Sequence, residues 1–159
     1  MRRKRFLIPL AALFFATFVA AGPAAAEETT AHARQHPANQ SGAEGRISFV
    51  EDDAGLHVTG TATGLQESVG RYVSLVYDLG SVPGGPTVCE PVEELEDMFV
   101  GIWAVDAAGN GTLIQVAPPG EIAPLAVIDT ISIRDTEINE GFGPEAVVAC
   151  GEIAVHGGR

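Results

Sequence analysis

The alternation of apolar and polar side chains along the chain predicts a series of short β-strands. Residues 46–50 and 56–63 alternate in this way and flank an Asp- and Gly-containing turn at 51–55, a pattern typical of a β-hairpin. Residues 71–80 are rich in β-branched and aromatic side chains and predict a further strand, which runs into the Gly- and Pro-rich loop 80–86. The first part of the domain is therefore predicted to be antiparallel sheet.

The second half of the chain continues the same pattern. Residues 98–105 and 112–117 flank the turn 106–111, whose Asn-Gly pair is a strong hairpin signal. Two more strands are predicted at residues 125–133 and 146–155. About seven strands, with no long helix, indicate an all-β fold that is an antiparallel sandwich or barrel.

The N-terminus has the three parts of a secretory signal. Residues 2–5 are basic, residues 6–21 form an apolar run, and residues 24–26 offer a small-residue cleavage site. A membrane anchor is the alternative, because the apolar run approaches the ~18 residues of a spanning helix. The Gly-Pro pair and the alanines that follow favour cleavage. We interpret residues 1–26 as a signal peptide and expect a secreted, extracellular protein without membrane attachment after cleavage.

The segment after the signal carries almost no large apolar side chain. Residues 27–43 are therefore predicted to be a flexible lead-in, and the folded domain is expected to cover residues 44–159. His32 and His36 lie four residues apart, a spacing that would place them on one helix face and allow a metal site. Pro37 and the composition argue against a helix, so we interpret both as tail histidines.

Removal of the signal makes the protein strongly acidic. The remaining chain has five Lys and Arg against 21 Asp and Glu, which is a net charge of −16. This charge argues against a nucleic-acid partner, because phosphate binding requires clustered Lys and Arg. The charge favours solubility and attracts cations more than anions.

Candidate chemistry is sparse. His57 is expected on the polar face of its strand, and solvent exposure is the preferred interpretation over a site role. Five carboxylates within residues 90–97 are a candidate for weak cation binding, but they lack the spacing of a calcium loop, so a solvated acidic face is preferred. These carboxylates are Glu90, Glu93, Glu94, Glu96 and Asp97. The sequence offers no catalytic set of Ser, His and Asp and no phosphate-binding loop, so nothing in it indicates an enzyme.

Several segments resemble the copper/zinc superoxide dismutase family. They are residues 45–49, 58–65, 84–86 with Cys89, 106–111 and 149–153, which match the family from residue 45 to about residue 155. The resemblance implies a Greek-key β-barrel or sandwich with long loops and an opening strand before residue 45, for which residues 27–43 are a poor candidate. Two cysteines in an exported chain already indicate one disulfide. The resemblance pairs Cys89 with Cys150, tying a loop to the last strand.

The metal ligands of that family are missing from this chain. In the family, copper is held by four histidines, one of which bridges to zinc. The matching positions that can be aligned here are Leu75, Tyr77 and Arg134, and there is no histidine between His57 and His156. Copper cycling requires imidazole nitrogens, and leucine offers no lone pair. We therefore expect no metal site, no catalytic residue and no copper or zinc cofactor.

Two functions remain as expectations. The first is a secreted superoxide-dismutase-like module without catalysis, serving in binding or in structure, with Leu75 and Tyr77 packed among apolar groups beneath the loop 81–97. The alternative is an active superoxide dismutase, converting superoxide to oxygen and hydrogen peroxide with ligands that the sequence does not reveal. No feature names a partner or an oligomeric state.

Overall fold

Eight antiparallel strands close into a barrel in the part of the chain that the structure, a computed structural model, describes: residues 28–77 and 98–156. The strands are β1 (Thr29–Pro37), β2 (Glu44–Asp52), β3 (Gly55–Thr63), β4 (Ser68–Tyr77), β5 (Met98–Val105), β6 (Gly111–Ala117), β7 (Thr130–Asp135) and β8 (Val147–His156). Their order around the barrel is β1-β2-β3-β6-β5-β4-β7-β8, and β1 pairs with β8 to close it. The all-β barrel prediction is confirmed, and the count of about seven strands was one too low.

Strand β1 lies in the segment that the sequence predicts to be a flexible lead-in, so that prediction was wrong. Ala31, Ala33 and Gln35 face the barrel interior, and the residues between them are exposed. Because these inward side chains are small or polar, the strand lacks the large apolar residues that normally reveal the alternation. The barrel therefore starts near Thr29 rather than at residue 44, and it has a strand before residue 45.

The strand predicted at residues 125–133 starts later than expected, because β7 begins at Thr130. The apolar residues ahead of it belong to the connection between β6 and β7. Leu125 and Ile128 are buried there, at 0% and 2% exposure, against the end of the barrel. At the opposite end, Leu65 is buried beneath the β5–β6 turn, where its N–H donates to the Gly109 carbonyl at 3.2 Å. Apolar side chains thus seal both ends of the barrel.

The core contains one tightly fitted contact around Trp103. The indole Nε1 donates to Ser74 Oγ at 2.9 Å, which satisfies both buried polar groups. Across the barrel, a Cβ added at Gly60 would lie 2.7 Å from Trp103 Cη2. A glycine inside β3 therefore makes the room that the indole occupies.

The β5–β6 hairpin, which the sequence predicts, is confirmed. Its turn is organised by Asp106, whose Oδ1 accepts the backbone N–H groups of Ala108 at 2.9 Å and Asn110 at 2.8 Å. The Asn110 side chain also donates to Asp106, at 3.0 Å to Oδ2. These hydrogen bonds from the side chain and backbone of Asn110 hold the pKa of Asp106 below its usual 3.8.

Replacing Asp106 with alanine is expected to lower the Tm at neutral pH, because the turn loses its acceptor. A carboxyl whose pKa is depressed by folding stabilises the fold above its unfolded pKa, and that contribution is lost as the pH falls through the folded value. The difference in Tm between wild type and Asp106→Ala should therefore shrink below about pH 4. Thermal melts across the acid range measure it.

The matched control is Asp53→Ala in the β2–β3 turn, since Asp53 is exposed and its side chain makes no hydrogen bond with any described residue. This control should leave the Tm nearly unchanged at every pH. A constant Tm difference for Asp106→Ala down to the lowest pH would contradict the assignment.

The remaining features of the sequence lie partly outside this region. The predicted signal at residues 1–26 and the loop residues 78–97 lie outside the described residues. Within residues 28–77 and 98–156, no helix has the length and the hydrophobicity that crossing a bilayer requires.

Candidate functional site

The positions that the resemblance matches to copper ligands lie on two neighbouring strands, β4 and β7. The alternation of β4 points Ser74 and Val76 into the barrel, so Leu75 and Tyr77 face outward. In the β4–β7 register, Leu75 lies opposite Ser132 and Tyr77 opposite Thr130. The outer face of these two strands is therefore where the matched side chains meet.

Tyr77 and Arg134 are joined there through Ser132 into a buried polar group, which we call the Tyr77–Arg134 cluster (Tyr77, Ser132 and Arg134). Arg134 Nε donates to Tyr77 Oη at 2.8 Å and to Ser132 Oγ at 3.4 Å. The two hydroxyl oxygens are 3.0 Å apart, and the guanidinium carbon lies 5.7 Å from the Tyr77 ring centroid. The three residues are 4%, 2% and 1% exposed, so the cluster is shielded from water.

The connection between β7 and β8 covers the cluster and completes its hydrogen bonds. Arg134 Nη1 donates to the Gly141 carbonyl at 2.7 Å and to the Gly143 carbonyl at 3.3 Å. Both glycines have positive φ angles, 85° and 79°, a conformation that glycine adopts without steric cost. The guanidinium thus holds the connection against the outer face of the barrel.

The connection is also anchored at its start. Asp135 accepts Arg71 Nε at 2.9 Å and Arg71 Nη2 at 2.5 Å, a bidentate ion pair with an Asp135 side chain only 4% exposed. The Thr136 N–H and hydroxyl both donate to the Arg71 carbonyl, each at 2.8 Å. The hydrogen bonds to Asp135 raise the pKa of Arg71 above its usual value, so the guanidinium stays charged.

The expectation of apolar packing was wrong at Tyr77. Leu75 is half-buried, but Tyr77 lies in a polar cluster, because β7 presents the polar side chains Ser132 and Arg134 on its outer face. No carboxylate among the described residues forms an ion pair with Arg134, so its charge is balanced there by hydroxyl and carbonyl oxygens alone. The predicted covering loop at residues 81–97 lies outside the described residues.

The histidines lie elsewhere on the barrel. His57 is on the outside of β3, half-buried, with its Nε2 3.4 Å from Asp52 Oδ1. His32 and His36, predicted as tail residues, are exposed on β1, and His32 stacks on His156 with ring centroids 4.3 Å apart. In residues 28–77 and 98–156, no group of three or more His, Cys, Asp or Glu side chains is placed to hold a metal ion.

Cys150 lies on β8 beside the cluster. It is opposite Ser132 in the β7–β8 register, 2% exposed, and carries no free thiol. Cys89 lies outside the described residues, so its pairing with Cys150 stays a prediction. The candidate cation ligands Glu90, Glu93, Glu94, Glu96 and Asp97 lie in the same undescribed region.

No family model matches this chain, and no curated protein is similar enough to be matched. Two features of the barrel were not predicted from the sequence. Ser132 was not singled out, because only the strand register places it between Tyr77 and Arg134. Arg34 and Arg46, which lie directly opposite each other on β1 and β2, were not recognised because β1 itself was missed.

Proposed function

We propose that the chain is a secreted superoxide-dismutase-like barrel without catalysis, serving as a binding or structural module. In this proposal the Tyr77–Arg134 cluster occupies the place of the copper site. The observation that carries it is the contact between Tyr77 and Arg134, two positions aligned with copper ligands from sequence alone and 57 residues apart in the chain. Ligands of one metal ion must be neighbours in space, and the hydrogen bond between Tyr77 and Arg134 makes these two residues neighbours.

The strand order supports the same relation. Strands β4, β5 and β6 follow one another around the barrel, and β7 returns to lie beside β4, so this part of the sheet runs β7-β4-β5-β6. Three consecutive antiparallel strands with a fourth returning beside the first define a Greek key. The family resemblance implies this topology, and fold alone does not imply the activity.

The charge at the cluster opposes metal binding. A guanidinium is protonated at all accessible pH values and has no lone pair to offer a metal. Because Arg134 is buried, its charge is weakly screened and would repel a cation placed beside it. Tyr77 contributes a single hydroxyl, which is already engaged with Arg134 and Ser132. These groups do not replace the imidazoles that copper redox chemistry requires.

The net charge opposes the reaction from the substrate side. Superoxide is an anion, and a surface with a net charge of −16 after signal removal repels it at long range. Of the five arginines that remain in the chain, Arg71 and Arg134 are held in ion-pair and hydrogen-bond networks. Neither is free to attract an anion to the outer face of β4 and β7.

The proposal predicts that the mature protein does not dismutate superoxide. The protein would be incubated with copper and zinc, freed of unbound metal, and assayed for superoxide decay. We expect decay at the rate of the metal-free sample. Dismutation that rises in proportion to protein concentration and is lost on chelation would establish the active dismutase instead.

A gain-of-binding variant makes the test specific to these positions. The triple variant Leu75→His, Tyr77→His, Arg134→His places three imidazoles where the resemblance puts copper ligands. If the positions are assigned correctly, this variant binds copper when folded, as judged by circular dichroism, and the wild type does not. Equal copper uptake by both proteins would contradict the assignment.

A further inference from the structure

The outer surface of β1 and β2 carries two arginines that face each other directly. Arg34 and Arg46 are cross-strand partners in the β1–β2 register, and both are exposed. Within residues 28–77 and 98–156, neither arginine forms an ion pair or a side-chain hydrogen bond. Two positive charges therefore stand side by side without a counter-charge.

This arrangement is unfavourable for the isolated fold. Like charges directly opposite each other on a sheet destabilise the pairing of the strands. The chain has 21 acidic residues, so carboxylates are abundant, yet none of those described forms an ion pair with Arg34 or Arg46. A local conflict without a structural benefit is the feature expected of a binding site.

A cavity of about 320 Å³ lies beside the two arginines. It is lined by Arg34, Gln35, Glu44, Arg46, Thr61 and Thr63, together with small residues between them. Thr61 is the cross-strand partner of Arg46 on β3, so hydroxyl donors continue the row that the arginines begin. The exposed side chains of Arg34, Arg46, Thr61 and Thr63 can donate hydrogen bonds, Glu44 only accepts them, and the Gln35 side chain points into the barrel.

We infer that this cavity binds an oxyanion, a phosphate or sulfate group held between Arg34 and Arg46. Guanidinium groups recognise such groups through paired hydrogen bonds, and a negative charge between the arginines removes their repulsion. The hydroxyls of Thr61 and Thr63 supply further donors. The site lies on β1, β2 and β3, away from the Tyr77–Arg134 cluster on β4 and β7, so it does not depend on the function proposed above.

Calorimetric titration of the mature protein with inorganic phosphate, inorganic sulfate and heparin, in chloride buffer of constant ionic strength, tests the inference. We expect saturable binding with one anion per chain. Arg34→Gln and Arg46→Gln should each weaken it about tenfold, the loss expected for one charge-assisted contact. Arg159→Gln changes the net charge equally and should leave the affinity unchanged.

The probes also separate the two sources of the group. Binding of phosphate or sulfate indicates a free anion, and binding of heparin alone indicates a group carried on a sulfated polymer. Either result supports the site if it requires both arginines. Absence of saturable binding to all three probes, or equal weakening by Arg159→Gln, would overturn it.

A double-mutant cycle gives a second readout that does not depend on affinity. The coupling between Arg34 and Arg46, taken from the Tm values of the two single variants and the double variant, should be repulsive in chloride. In saturating phosphate it should become favourable, because the two residues then share a ligand. A coupling that is the same in both buffers would contradict a shared anion.

Discussion

Replacing Arg134 with alanine is expected to destabilise the protein by about 3 kcal/mol. The substitution empties a buried site and leaves the Tyr77 hydroxyl and the Gly141 carbonyl without their donor. Denaturant unfolding followed by Trp103 fluorescence measures the loss. Arg134→Lys is the informative partner variant, because it keeps the charge but cannot reach both the hydroxyl and the carbonyls, and it should recover only part of the stability.

The same substitution should also release the connection between β7 and β8. Asn139 and Glu140 have positive φ angles of 48° and 56°, a conformation that costs non-glycine residues free energy and persists only where contacts enforce it. The hydrogen bonds from Arg134 to Gly141 and Gly143 are such contacts. We expect limited proteolysis to cut Arg134→Ala within residues 136–146 faster than wild type. Unchanged stability together with unchanged cleavage would contradict a structural role for the guanidinium.

Replacing Asp135 with alanine is the second substitution with a large expected effect, again about 3 kcal/mol. Removal of this buried carboxylate leaves Arg71, whose side chain is only 18% exposed, without the bidentate partner that neutralises it. It also removes the acceptor for the Glu137 N–H, 3.0 Å from Asp135 Oδ1. Chemical denaturation at neutral pH measures the change in the free energy of unfolding.

Glu137→Ala is a matched control for that prediction, because the same arginine contacts both acids. Arg71 Nη1 lies 3.0 Å from Glu137 Oε2, but the Glu137 side chain is 67% exposed. An exposed ion pair contributes at most about 1 kcal/mol, so Glu137→Ala should have a small effect. In the background Arg71→Ala, the cost of Asp135→Ala should fall markedly. Equal costs for the two acids would show that burial does not govern this network.

The sequence predicted those parts of the fold whose local signals agree with their final packing. The β2–β3 and β5–β6 hairpins were confirmed, since alternation and turn residues mark both. Strand β1 was missed because its inward positions are two alanines and a glutamine, which local hydrophobicity does not distinguish from a tail. The start of β7 was misplaced because Leu125 and Ile128, although apolar, pack against the end of the barrel and do not belong to a strand.

The candidate sites depend on which strands pair and in what register, information that one sequence holds only indirectly. The family resemblance located Tyr77 and Arg134, but their hydrogen bond follows from the β4–β7 pairing. The pair of Arg34 and Arg46 required both the existence of β1 and its register against β2. Single residues were therefore identified before the contacts that give them a role.

The most direct test of the central claim is the copper content of the mature protein after exposure to copper and zinc, read by metal analysis and by electron paramagnetic resonance on one sample. The His32→Ala variant would be measured alongside, so that the exposed pair of His32 and His156 is not mistaken for a buried site. We expect His32→Ala to hold no stoichiometric copper. One copper ion per chain in that variant, with a spectrum showing nitrogen ligands, would contradict it.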